Sequence, residues 1–321
     1  MTDTTTSRDS DRLAHLAGEG FITDGGLETT IIFLDGRELP YFASFPLLDD
    51  EPGRALLRKY FDAYADLAVG LGAGLVLETP TWRANPDWAA KLGYTAAQLK
   101  DVNVRAAALL AEVREARETP ATPIVISGCL GPRGDGYVPA NAMTADAAAD
   151  YHRPQLEAFA GSAADLASAI TMNYIDEAIG IARAAEAAGL PVVISFTVET
   201  DGALPTGRPL AEAIERTDDA TGGYPAYYML NCAHPSHFES ALDGGAAWTD
   251  RLRGLRANAS RMSHAELDEA PELDAGDPAE LGRDYAALKR GPLKRLNVLG
   301  GCCGTDDRHV HAIGTSCRPL F

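Results

Sequence analysis

Residues 296–305 read Leu-Asn-Val-Leu-Gly-Gly-Cys-Cys-Gly-Thr, a short apolar run that breaks into glycines around two adjacent cysteines. An apolar run of this length bounded by glycine predicts a buried strand, and the residues with chemistry stand at its C-terminal end. The same arrangement recurs outward along the chain. Candidate strands lie at 21–24, 74–78, 123–127, 168–172, 191–197, 226–231 and 252–257, and the stretch above adds an eighth at 296–300. Between them, segments 56–69, 96–117, 155–167, 175–188 and 279–290 carry apolar residues at helical spacing, punctuated by Gly or Pro. Eight strand–helix pairs predict an α/β fold, a (β/α)8 TIM barrel; an open doubly wound sheet shares the periodicity. The length of 321 residues suits one barrel. Residues 1–18 read as a disordered polar tail, and 19–321 as a single catalytic domain.

Most of the unusual residues follow the strands: Asp24-Gly-Gly-Leu-Glu28, Glu78-Thr-Pro-Thr-Trp82, Gly128-Cys-Leu-Gly-Pro-Arg-Gly134, Glu199-Thr-Asp-Gly202, Asn231-Cys-Ala-His234, Asn258 and Gly300-Gly-Cys-Cys-Gly-Thr305. In a barrel these positions share one rim, the face where barrel active sites are built. The acidic stretch 267–284 reads as a solvated loop without a catalytic role.

Composition narrows the class. With 46% hydrophobic and 23% charged residues, and no apolar run approaching about 18 residues, the chain reads as globular and not membrane-spanning. Its formal charge of −18 disfavours nucleic acid, whose phosphates are held by clustered cations. The N-terminus lacks a signal-peptide pattern, so a cytoplasmic location is expected. A homo-oligomer is compatible with a large barrel, although no interface patch stands out.

Five cysteines, at 129, 232, 302, 303 and 317, are an odd set for a reducing compartment, where metal binding or catalysis outranks disulfides. Cys129 and Cys317 read as small buried hydrophobes. Cys302 and Cys303 differ, because neighbours in a strand point to opposite faces and can serve one site only where the backbone turns, which the flanking glycines allow. Cys232 ends the sixth candidate strand, so three thiolates can converge on the rim. Soft thiolates select Zn²⁺, and three protein ligands leave a fourth position open for exchange. A vicinal disulfide or redox switch is the alternative.

With Asp24-Gly-Gly, Glu78-Thr, Asn231-Cys232 and Gly300-Gly-Cys-Cys-Gly-Thr305 in this order, the chain resembles the homocysteine S-methyltransferase family over roughly residues 20–315. The resemblance implies a zinc-dependent TIM barrel with Cys232, Cys302 and Cys303 as ligands. It implies a small-molecule thiol acceptor, homocysteine giving methionine, and a free sulfonium or quaternary ammonium donor such as S-methylmethionine, S-adenosylmethionine or betaine. Asp24 and Glu78 take substrate-binding roles by the same resemblance, with Asn231 and Asn258 beside them. At the fourth strand end, where family members present a Glu for the substrate amino group, this chain has Met172 and Asn173. The acceptor is then homocysteine held through Glu78 or Glu199, or another thiol.

Trp82 and Tyr174, with Tyr41, Phe42 and Phe45, are placed where aromatic faces can hold the donor cation. His234 and His264 read as polar rim residues. Two other classes remain: a zinc hydrolase or lyase with water as fourth ligand, and a non-enzymatic zinc-carrying or redox-sensing barrel.

Overall fold

The computed structural model describes residues 13, 15, 18–139, 142–242, 246–270 and 272–321. Eight parallel strands close into a barrel in sequence order: β1 Phe21–Ile22, β2 Gly74–Glu78, β3 Ile124–Leu130, β4 Leu166–Met172, β5 Val192–Phe196, β6 Tyr228–Asn231, β7 Leu252–Ala257 and β8 Val298–Gly301. Closure is by β1 against β8, with Phe21 opposite Val298 and Ile22 opposite Leu299. The predicted barrel is therefore observed, and the open sheet is excluded.

The principal outer helices are α1 Glu51–Leu71, α2 Ala96–Arg117, α3 Ala145–Ala160, α4 Ile175–Ala187, α5 Leu210–Thr221, the single turn α6 Pro235–Phe238, α7 Pro278–Arg290 and α8 Asp307–Cys317. Their starts follow from local chemistry. The Asp50 side chain accepts from Gly53 N at the head of α1, and Thr95 and Gln98 form a reciprocal capping box on α2. The helix expected at 155–167 lies earlier. α3 carries Pro154 in its interior and stops at Ala160, and Leu166 and Ala167 belong to β4. Its N-terminus is set by Thr144, whose side chain accepts from Ala147 N, so the proline marks no boundary.

Most of the tail expected over 1–18 falls outside the described residues. His15, within it, is fully buried: its ring meets the edges of Phe21 and Tyr227, and its carbonyl accepts from the Asn297 and Arg253 side chains. Among the described residues, no helix is long and apolar enough to cross a membrane.

Two cores hold the barrel. The larger lies between the strands and the surrounding helices; the smaller, Phe21, Val76, Val125, Leu166, Val193, Tyr227, Met229 and Val298, fills one end of the barrel interior. Positions two further along each strand share its face, so the next interior level is set by the same strands. There the side chains are Thr23, Glu78, Ser127, Ser168, Ser195, Asn231 and Arg256, all buried.

Candidate active site

This polar level opens onto a pocket at the C-terminal ends of the strands. Asp24, Glu28, Phe42, Glu78, Trp82, Tyr137, Thr171, Arg256 and the cysteines 129, 232, 302 and 303 are among its lining. The Sγ atoms of Cys232, Cys302 and Cys303 all lie within 4.8 Å of one another. Cys232 and Cys302 have Cα atoms 5.4 Å apart, with their sulfurs in close contact, and Cys303 stands beside them. The cysteine that follows β6 and the two that follow β8 thus meet on one side of the rim.

Backbone geometry brings the thiols together. Cys232 itself adopts a left-handed conformation (φ 55°), and Gly304 (φ 78°) turns the chain after the cysteine pair. Gly300 lets β8 approach β1, because a Cβ there would stand 1.8 Å from the Thr23 hydroxyl. The cysteine carbonyls are tied down: Cys232 O accepts from Asn258 Nδ2 at 3.0 Å and lies 2.5 Å from His264 Nε2, while Cys302 O accepts from the Thr305 hydroxyl at 2.7 Å. His264 also stacks on Tyr137, with ring centroids 3.9 Å apart.

The donor set fits zinc. Three cysteine sulfurs on one cavity wall, all within 4.8 Å of one another, form a soft, compact group of the kind that selects zinc.

Behind the cysteines lies a buried ion cluster. Arg256 on β7 pairs with Asp24 at 2.6 Å and with Glu78, and also donates to Gly25 O and Gly301 O. Tyr60 adds a hydroxyl to Asp24 at 3.1 Å. Burial lowers the Arg256 pKa, but the two carboxylates outweigh it and hold the guanidinium above its usual range. Burial raises Asp24 and Glu78 above the ordinary carboxylate range, with Arg256 opposing it.

A model of the homocysteine S-methyltransferase family matches residues 21–317. The chain belongs to that family. It is 25% identical over 294 residues to the homocysteine S-methyltransferase YbgG of Bacillus subtilis, covering 86% of this chain and 88% of that one. Its fold matches the homocysteine methyltransferase MmuM of Escherichia coli at 22% identity: the metallated form gives a TM-score of 0.72 over 94% of this chain and 98% of that one. The oxidized form gives 0.74 over 95% and 98%. Family membership makes the chain a methyltransferase.

Within this family member the other expected site residues are distributed unevenly. Asn231 faces the barrel interior, but its side chain is spent on Thr171 N, the Thr171 hydroxyl and Ser195, holding Thr171 in a left-handed conformation (φ 67°). Asn258 holds the Cys232 carbonyl instead of lining the cavity. Met172 is buried in the outer core, and Asn173 donates to the carbonyls of Asp135 and Gly136, so the fourth strand offers the cavity no carboxylate. Tyr174 lies outside the cavity, with Met143 N donating to its hydroxyl.

Of the aromatic candidates, Trp82 and Phe42 line the cavity, Phe45 is in the outer core, and Tyr41 is exposed. His234 is buried, its imidazole pushed down to about 4 by burial and the nearby Arg261 charge. Glu199 lies 3.5 Å from His264 Nδ1 and does not line the cavity.

Sequence inspection did not single out Arg256, Tyr137 or Thr171, and it placed Glu28 on the rim without a role. It also missed that residues from the acidic stretch, Leu267, Ala270, Glu272, Leu273 and Asp274, wall an outer chamber that shares Thr29, Phe42, Trp82, Tyr137 and Cys303 with the inner cavity. The stretch is anchored by a capped turn of helix, His264–Glu269, and by the Ser260 hydroxyl donating to Asp274 at 2.6 Å.

Proposed function

We propose that the protein moves a methyl group from a small sulfonium or quaternary ammonium donor to the thiol of homocysteine, with one zinc ion held by reduced Cys232, Cys302 and Cys303. The convergence of the three thiols on one cavity supports this most strongly. Bound there, zinc supplies a Lewis acid that keeps an incoming fourth thiol deprotonated near neutral pH. The protein's part is positioning. Asn258, His264 and Thr305 fix the carbonyls of the ligand residues, and Arg256 fixes Gly301.

Phe42, Trp82 and Tyr137 stand where the inner cavity meets the outer chamber; one face of Trp82 carries the Arg83 guanidinium and one face of Tyr137 stacks on His264, and the remaining aromatic surface suits a methyl-bearing cation. The attacking sulfur forms its bond to the methyl carbon as the donor's C–S or C–N bond breaks. The electron pair stays on the departing sulfur or nitrogen, which leaves neutral, and no proton moves at carbon.

The test is zinc content and methyl transfer under reducing conditions, followed by mass spectrometry with L-homocysteine and S-methylmethionine, S-adenosylmethionine or betaine. About one zinc per chain and methionine formation are expected, both lost in Cys302→Ala. A Cys302→Ala protein that keeps its full metal content overturns the ligand assignment.

A further inference from the structure

Three carboxylates line the inner cavity: Asp24, Glu28 and Glu78. Two are already paired. Asp24 and Glu78 share the buried Arg256 guanidinium, which has the charge to balance only one of them and also holds two backbone carbonyls. An ammonium group entering between them would have to displace or face that guanidinium. Among the described residues Glu28 forms no ion pair, although the Arg256 and Arg83 charges lie near enough to act on it. The Ser44 hydroxyl donates to its Oε1 at 2.7 Å, and its own backbone N–H also donates to the carboxylate.

Its placement ties it to the cysteines. Gly26, two residues before it, packs so closely on Cys302 that a Cβ there would stand 2.6 Å from the Cys302 carbonyl. Thr29, the residue after it, accepts at its hydroxyl from Gly304 N at 3.3 Å. The backbone on both sides of Glu28 therefore rests on the loop that carries Cys302 and Cys303. In a homocysteine molecule the ammonium nitrogen is four bonds from the sulfur, so a group that recognises it must stand close to the thiol site.

We infer that Glu28 is the carboxylate that receives the amino group of the acceptor, in place of the fourth-strand Glu that this chain lacks. The inference rests on the thiol methyl transfer proposed above, and it makes the acceptor an amino-acid thiol and not a simple mercaptan or mercapto acid. Burial pushes the Glu28 carboxyl above its ordinary range, with the Ser44 hydrogen bond opposing it, and a bound ammonium would favour the ionised form in the same way.

The experiment compares Glu28→Gln, which preserves shape and the Ser44 contact, with the unaltered zinc-loaded enzyme on two acceptors: L-homocysteine and 4-mercaptobutyrate, its counterpart without the amino group. KM for L-homocysteine should rise roughly ten- to hundredfold, the loss of one charged hydrogen bond. KM for 4-mercaptobutyrate and the zinc content should stay within about twofold, and Glu28→Asp should recover part of the loss.

Equal effects on both thiols, or none, overturn the inference while leaving methyl transfer standing, as does an unaltered enzyme that methylates 4-mercaptobutyrate in preference to homocysteine. A second readout needs no turnover: calorimetric binding of L-methionine should weaken by the same factor in Glu28→Gln. Unchanged methionine binding overturns the role of Glu28 even if no thiol is methylated. Failure of every thiol beside weakened methionine binding overturns the proposed reaction instead.

Discussion

The two ends of the barrel interior are made from the same strands, and a step of two residues separates them. At one end Val76, Val125, Leu166, Val193, Met229 and Val298 meet in an apolar plug. Two residues further along, the same strands present Glu78, Ser127, Ser168, Ser195, Asn231 and Gly300, with Arg256 reaching across from β7. The plug is held by non-directional burial, so its members tolerate exchange of shape at modest cost. The polar level is held by specific partners: Ser127 and Ser168 share a hydrogen bond at 2.7 Å, Ser195 donates to Asn231 at 2.6 Å, and Arg256 joins two carboxylates. There, loss of one group strands another. One end supplies rigidity and the other spends it on holding charge beside the thiols.

The largest test of that difference is Arg256→Leu. It leaves Asp24 and Glu78 buried beside each other without a cation, and a broken buried pair of this kind costs about 3–5 kcal/mol. Denaturant titration at neutral pH should show that loss. A cost below about 1 kcal/mol would mean that the two carboxylates do not depend on the arginine and would erase the contrast between the ends.

At the plug, Val193→Ala removes two methyl groups from a fully buried position and should cost about 2 kcal/mol, transfer and cavity together. Zinc content and KM for homocysteine should stay unchanged, since Val193 lies a level below the cavity lining. A changed KM would show that the plug and the site are mechanically coupled.

The same contrast explains what could be read in the sequence. Every strand was legible, because an apolar run bounded by glycine or proline has few other uses, and the plug residues are those runs. The cysteines were legible because two vicinal thiols among glycines have no packing purpose. Arg256 was not, although its signal was present: an arginine inside Leu252–Ala257, a strand buried almost throughout. Its partners lie 232 and 178 residues away, a pairing that only closure of the barrel creates. Asn231 and Asn258 were legible as polar strand ends, but their work is on backbone and neighbouring hydroxyls, which spacing does not reveal. Glu28 was legible as part of the rim motif Asp24-Gly-Gly-Leu-Glu28, but it sits in a one-turn helix without amphipathic pattern, so its direction into the cavity was not.

The smallest effect comes from the closed end, where His15 covers the plug. Burial, with the nearby Arg253 charge, pushes its imidazole down to about 3 from an ordinary 6.5. Well above pH 6.5 neither the folded nor the unfolded chain protonates it, and it adds no pH dependence. Below pH 6.5 the unfolded chain takes up a proton that the folded chain refuses, so stability falls steadily until the pH reaches about 3. At pH 5.5 the deficit is about 1.4 kcal/mol, one pKa unit's worth. His15→Leu keeps an apolar cover and removes the titrating group, so its stability should stay flatter between pH 6.5 and 5 than that of the unaltered protein. Denaturant midpoints at pH 7 and 5.5 measure this directly. Parallel pH curves for the two proteins would show that His15 stays accessible to protons in the folded state, and that the plug is open to water where the structure closes it.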